Sequence, residues 1–434
     1  MKKIIKKYRS RAIVDIAGDR TLLYALGLDR EELEKPFIGI VNSWNEMHPG
    51  HKHLRELARV VAEGVIAGGG RPFEFNTISL CDGITQGHAG MRYVLPSREV
   101  IADSIELVAE GQRLDGLVFL AGCDKIVPGM ARAAGRLNLP CVFVTGGPML
   151  PGNYKGKIMN GSFHVREAAA KLAVGEITEA EYEEMELSTC TGPGSCPMMG
   201  TANTMSCLME PLGLSLPGSG AAHAVHAEKL RQSRSSGRLV TELVKQNRKP
   251  GDYITRETFL NTIKVDMAIG GSTNTTLHLP AIAREFGIKL TPDDFDAIGK
   301  ATPQLANVQP SGKYNLWDMW LAGGIPAVMG ELGEKHLNLD VTAVTGEKWR
   351  DILKGKKSSN HEVIATTAKP YHAQGSLAIL KGSLAPECAV VKQGAVAAKM
   401  QVHRGPACVF DCEDDAIKGI MDGKVKKGDI VVIR

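Results

Sequence analysis

GLVFLAGCDKIVPGM, residues 116–130, sets a run of apolar residues directly before a thiol, a carboxylate and an amine, Cys123, Asp124 and Lys125. A run of this length that is apolar on both alternating faces reads as a strand buried on both sides, and the Val-Pro-Gly that follows reads as the opening of a helix. A strand of this kind delivers its reactive side chains at its carboxyl end.

The same alternation extends on either side. FIGIV at 37–41 is followed by a helical pattern over 53–68, and NTISL at 76–80 by one over 97–112. After the strand at 116–122 comes a helix over about 130–137, and then CVFVTGG at 141–147. Short apolar runs alternating with amphipathic helices predict βαβ crossovers, and hence an α/β fold built on a doubly wound parallel sheet. Residues 160–350 read mainly as helix, including charged helical stretches over 168–186 and 221–246, and form a helical extension. Polar KGKKSSN at 354–360 precedes short strand-like runs at 376–382, 389–396, 408–411 and 429–434, with one helix over 414–421. The spacing predicts a domain over 1–365 and an incomplete, β-rich C-terminal domain over 366–434.

Ligands of doubly wound sheets bind beyond the carboxyl ends of the strands. Two predicted strands end there in Cys-Asp, as Cys81-Asp82 and Cys123-Asp124. Cys123 and Cys196, in GPGSC, offer soft donors from Gly-containing loops, whereas Asp82 and Asp124 offer hard ones, a mixture that suits two adjacent metal centres. The gap between Cys190 and Cys196 is too wide for a CxxC knuckle, which favours an iron-sulfur cluster with incomplete cysteine ligation over structural zinc. For Cys123, Asp124 and Lys125 composition alone favours an internal ion pair beside an inert thiol. His48, His51 and His53 read as a turn and helix start, with a metal contact open for His51. His88 and residues 272–274 are open to substrate contact or to capping.

Bulk properties exclude several classes. The chain of 434 residues carries 52 basic and 48 acidic residues, a net charge of +4. No aromatic-basic stripe marks a nucleic-acid surface, and no apolar run is long enough to span a bilayer. The basic start MKKIIKKYRSR lacks the apolar core of a secretory signal, so a cytoplasmic location is expected. Nine cysteines without a regular framework argue against disulfides.

LCDGITQGHAGMRYVLPSRE, AGCDKIVPGM, FVTGGPM, GPGSCPMMGTANTM, AIGGSTNTTLHL, PSGKY, AGGIPAVM and PYHAQGSLAILKGSLAPE follow one another in this order. Together they resemble the dihydroxy-acid dehydratases and their sugar-acid dehydratase relatives, from about Arg9 to the last residue. The resemblance implies an iron-sulfur cluster, 2Fe-2S or 4Fe-4S, on Cys123 and Cys196, and Mg2+ on Asp82, Asp124 and Lys125, the last as a carbamate. It also implies loss of water from a 2,3-dihydroxy acid to give a 2-oxo acid, by a homodimer. The stretch at 80–99 is closest to the branch serving valine and isoleucine synthesis, with sugar-acid or phosphogluconate dehydration as the alternative.

Two departures stand out. Many relatives place a third cluster cysteine where this chain has Gly50. The segments that in relatives hold a glutamate Mg2+ ligand and the serine base would lie past Arg434. The expectation is therefore a truncated or split dehydratase, inactive alone, a non-catalytic metal-binding remnant, or a chain completed by a separate one.

Overall fold

The structure, a computed structural model, describes residues 13–434, so the basic segment at 1–11 lies outside the described residues. The chain divides into two compact units, one ending at Gly394 and the other spanning Ala395–Arg434.

The first unit is organised by four parallel strands: β1 (Phe37–Asn42), β2 (Arg71–Asn76), β3 (Gly116–Ala121) and β4 (Cys141–Thr145), in the order β2-β1-β3-β4. Ile38 stands opposite both Pro72 and Gly116, and Asn42 opposite Asn76 and Leu120. Every residue of β1, β3 and β4 is buried, which is why their sequences are apolar without alternation. Successive side chains still sort to opposite faces. Ile38, Ile40, Val118, Leu120, Val142 and Val144 pack on helices Leu54–Ala67 and Ala227–Gln246. Phe37, Val41, Leu117, Phe119 and Phe143 face helices Val94–Gly111 and Ile126–Leu137 and the helical extension behind them. The chain leaves β1 toward β2 on one side and returns to β3 on the other, so a topological switch lies between the carboxyl ends of β1 and β3.

The strand expected at 76–80 is a correction: β2 occupies 71–76. It is the half-buried edge strand, and an edge tolerates Pro72, Arg71 and Glu74, whose presence disguised it. Pairing stops where β1 stops, with Thr77 N donating to Asn42 O at 3.0 Å. Residues 77–81 then run as a loop toward Asp82. The charged stretch at 168–186 is two helices, Ser162–Ala173 and Glu179–Thr189, the second opened by a Thr178/Glu181 capping box. The helix expected from 221 begins at Ala227, because residues 218–220 wrap the buried Glu210, whose carboxylate accepts from Gly218 N (2.6 Å) and Gly220 N (2.7 Å).

Residues expected in the C-terminal domain are shared between the units. Ala378–Leu380 and Ala389–Val391 form an antiparallel pair within the first. The second holds parallel strands Ala407–Phe410 and Ile430–Ile433 joined through helix Glu413–Met421. Among the described residues no helix is long and apolar enough to cross a membrane.

Helices Leu54–Ala67 and Ala227–Gln246 meet at glycines. A β-carbon on Gly64 would lie 2.1 Å from Arg234 O, and one on Gly237 2.2 Å from Val61 O. Both obstacles are backbone and cannot rotate away. Gly64→Val or Gly237→Val is expected to lower the unfolding free energy by about 1–3 kcal/mol or more in urea titrations, because the helices must separate and the whole layer over Ile38 and Val118 lifts with them.

Candidate functional site

The loops beyond β1, β3 and β4 are tied together by histidines. His51 Nδ1 donates to Ser43 O at 2.7 Å, and its Nε2 accepts from Gly122 N at 3.1 Å, which fixes its tautomer and uses both nitrogens. The metal contact left open for His51 therefore has no free nitrogen behind it. His53 Nε2 bonds Gly146 O at 2.8 Å. His48 stacks on His51 at 4.0 Å, and burial lowers its pKa to about 4, leaving it neutral. His88 acts locally, its Nδ1 accepting from Gly90 N at 3.0 Å.

Over these loops Asp82, Cys123, Asp124 and Lys125 come together. Asp82 opens the short helix Asp82–Thr85, and its Oδ1 accepts from the Cys123 thiol at 3.5 Å. Lys125 Nζ pairs with Asp124 Oδ1 in a nearly buried ion pair. Burial, reinforced by the neighbouring Asp124 charge, pushes the Asp82 carboxyl up to about 7. Burial opposes ionisation of Asp124 too, but the facing His278, the proton shared with Asp82 and the Lys125 ammonium together hold it below the usual carboxylate range. Two carboxyls thus share one proton.

Cys196 arrives on a loop pinned from three sides. Gly194 N donates to Pro49 O and Ser195 N to Gly147 O, both at 3.0 Å, and Asn203 Nδ2 donates to the carbonyls of Cys196 and Met198. Gly194, at φ +131°, is obligatory, since a β-carbon would lie 2.3 Å from Met149 N. Cys196, Cys81 and Cys190 lie close enough to feel one another's charge, and Cys81 reaches Cys123 in the same way. Burial raises all four thiols, Cys196 to about 12, so each is protonated at neutral pH. Such thiols are poor redox nucleophiles and become ligands only by exchanging a proton for a metal cation. Among the described residues no three His, Cys, Asp or Glu side chains stand as a ready-made metal set. A cleft of about 420 Å³ lined by Met47, Pro49, Lys52, Ile84, Gly192 and Pro193 borders the same loops and gives solvent access.

His278 was not singled out from the sequence. It is fully buried, its Nδ1 accepts from Arg98 Nη1 at 3.1 Å, and its Nε2 faces Asp124 Oδ1 at 3.8 Å. Arginine only donates, so the neutral ring carries its hydrogen on Nε2, toward the carboxylate. It lies inside the quoted stretch AIGGSTNTTLHL, but only the fold brings it to Asp124. In the same stretch Ser272 and Asn274 bond to Thr201 Oγ1, each at 2.8 Å, and so join two loops.

The model of the dihydroxy-acid/6-phosphogluconate dehydratase N-terminal domain matches residues 35–352, and that of the C-terminal domain residues 362–434. The chain belongs to this dehydratase family. It is 51% identical to the dihydroxy-acid dehydratase of Halothermothrix orenii, 50% to dihydroxy-acid dehydratase 1 of Methanosarcina acetivorans and 49% to the dihydroxy-acid dehydratase of Methanothermobacter thermautotrophicus. Each alignment covers 96% of this chain and 76% of the relative.

Behind β4 of this dehydratase-family chain, Lys229 is fully enclosed and donates to Ser219 O at 2.8 Å and to Thr145 Oγ1 at 3.2 Å. Burial lowers its pKa to about 7 and raises that of Glu210 to about 7. The carboxyl's contribution to stability is complete below its ordinary value of 4.5 and is lost as pH rises toward 7. The amine's is complete above 10.5 and is lost as pH falls toward 7. Urea titrations should therefore give a stability minimum near neutrality from this pair, and Glu210→Gln should flatten its acid side between pH 5 and 7.

Proposed function

We propose that this chain is a hydro-lyase that removes water from a 2,3-dihydroxy acid, giving an enol that becomes a 2-oxo acid. The observation that carries the reading is the meeting of Asp82, Asp124 and Cys123 at the β1/β3 switch, in a chain about half identical to dihydroxy-acid dehydratases along nearly its full length. The branched acids of valine and isoleucine synthesis are the favoured substrates, and sugar acids or phosphogluconate the alternative.

The donor set fits the groups that the family implies. Asp82 and Asp124 would hold Mg2+, together with Lys125 as a carbamate, and Cys123 and Cys196 would hold an iron-sulfur cluster. When bound, these groups supply Lewis acidity toward the substrate carboxylate and 2-hydroxyl on one side and the departing 3-hydroxyl on the other. The chain's own residues prepare that chemistry. Asp82 would release the shared proton to solvent as a cation took its place, and the Nε2 hydrogen of His278 steadies Asp124. Lys125 bonds carbon dioxide only as the neutral amine, losing a proton as the N–C bond forms and exchanging its charge for oxygen donors. Burial of Asp124, Lys125 and Cys123 keeps bulk water from competing. No side chain among the described residues is assigned as the base.

Nine cysteines, none of those described in a disulfide, fit a reducing, cytoplasmic setting. A homodimer belongs to the same reading, with Met91, Tyr93 and Leu95 as exposed apolar side chains beside the site loops.

Anaerobic reconstitution with iron and sulfide tests the cofactor reading: a visible cluster chromophore is expected in the parent and its loss in Cys123→Ser and in Cys196→Ser. Equal spectra in all three would remove the cluster assignment. Turnover, assayed with and without a separately supplied C-terminal segment, should be dependent on Mg2+, abolished by Asp124→Asn and faster on dihydroxyisovalerate than on gluconate. The reverse substrate order would select the sugar-acid alternative, and cluster binding without turnover under either condition a non-catalytic metal-binding chain.

A further inference from the structure

Of the three histidines of the 48–53 turn, His48 is the one with neither ring nitrogen in a sound hydrogen bond. Its ring is 1% exposed, yet neither nitrogen has a hydrogen-bond partner. Both nitrogens of His51 are used, and His53 is anchored through Nε2 to Gly146 O, its Nδ1 alone left over. A buried ring with two orphan nitrogens calls for an explanation; among the described residues His223 shares that state, but packs edge-on against Trp317.

The surroundings say which kind. The ring faces the backbone of Leu80 without a sound hydrogen bond, and Leu80 precedes Cys81. It stacks on His51, which is bonded to Gly122, the residue before Cys123. It borders Gly50, whose neighbour Pro49 accepts from Gly194, two residues before Cys196. His48 thus sits among the loops that bring the thiols to the site.

The resemblance implies a third cluster cysteine at position 50 in many relatives. A β-carbon built on Gly50 would meet His48 Cε1 at 3.1 Å and Nδ1 at 3.3 Å, with Gly194 O at 3.7 Å. The imidazole occupies the space into which a side chain at 50 would project. Imidazole is an accepted donor to cluster iron, replacing thiolate in some iron-sulfur centres.

We infer that His48 is the third protein ligand of the iron-sulfur cluster, beside Cys123 and Cys196. The inference rests on the cluster reading given under Proposed function.

The test is pulsed EPR of the reconstituted and reduced chain, grown with ordinary or 15N-labelled histidine, together with iron and sulfide analysis of the parent, His48→Ala, His48→Cys and Cys81→Ser. The parent should show a strong nitrogen coupling that changes isotope with the label. His48→Ala should lose it along with most of the iron, while His48→Cys should keep the iron and show a thiolate-only spectrum. The parent measurement stands even where His48→Ala fails to fold. An assembled cluster with no histidine coupling, a coupling that survives in His48→Ala, or cluster loss in Cys81→Ser without any nitrogen signal would overturn the assignment while leaving the cluster reading intact. A parent that takes up neither iron nor sulfide would sink both.

Discussion

Two carboxylates held against each other away from water are the constraint on which the site depends. Like charges in a low-dielectric space repel strongly, so one of Asp82 and Asp124 keeps its proton or both accept a cation. The strand order makes the meeting unavoidable: β1 lies between β2 and β3, and the loops leaving β2 and β3 converge over it. Lys125 and His278 then bias which carboxylate stays ionised.

The scaffold that holds this pair is made of loop ties. Ser43 Oγ donates to Leu120 O at 2.6 Å, His51 grips Gly122, His53 grips Gly146, and the loop carrying Cys196 is stitched to Pro49 and Gly147. These bonds join the ends of three strands into one platform. Loop conformations are usually the mobile part of a fold, and here backbone carbonyls, histidines and an obligatory glycine give them a single arrangement.

The buried elements were legible in the sequence because burial writes itself into composition. β1, β3 and β4 are apolar on both faces, and Cys123-Asp124 follows β3 closely, whereas Cys81-Asp82 lies past a loop beyond β2, at the start of helix Asp82–Thr85. Asp82, Cys123, Asp124 and Lys125 could be singled out for that reason. The edge strand was misplaced since an edge is free to carry Arg71, Pro72 and Glu74, and a more apolar loop beside it imitated a strand. His278 stayed hidden because its role comes from a contact 154 positions away in the chain, which no local spacing encodes. The orphaned state of His48 was equally invisible, for a histidine in a turn looks the same in sequence whether its nitrogens are bonded or bare.

The glycine-lined crossing of helices Leu54–Ala67 and Ala227–Gln246 has a bearing on how the molecule is born. One face of the sheet is closed by Val240, Leu243 and Val244, residues that leave the ribosome long after β4. At translation rates of about 5–20 residues per second, the nascent sheet waits several seconds with Ile40, Val118 and Val142 covered only by helix Leu54–Ala67. That interval, rather than the finished core, is where a chaperone would have most to protect.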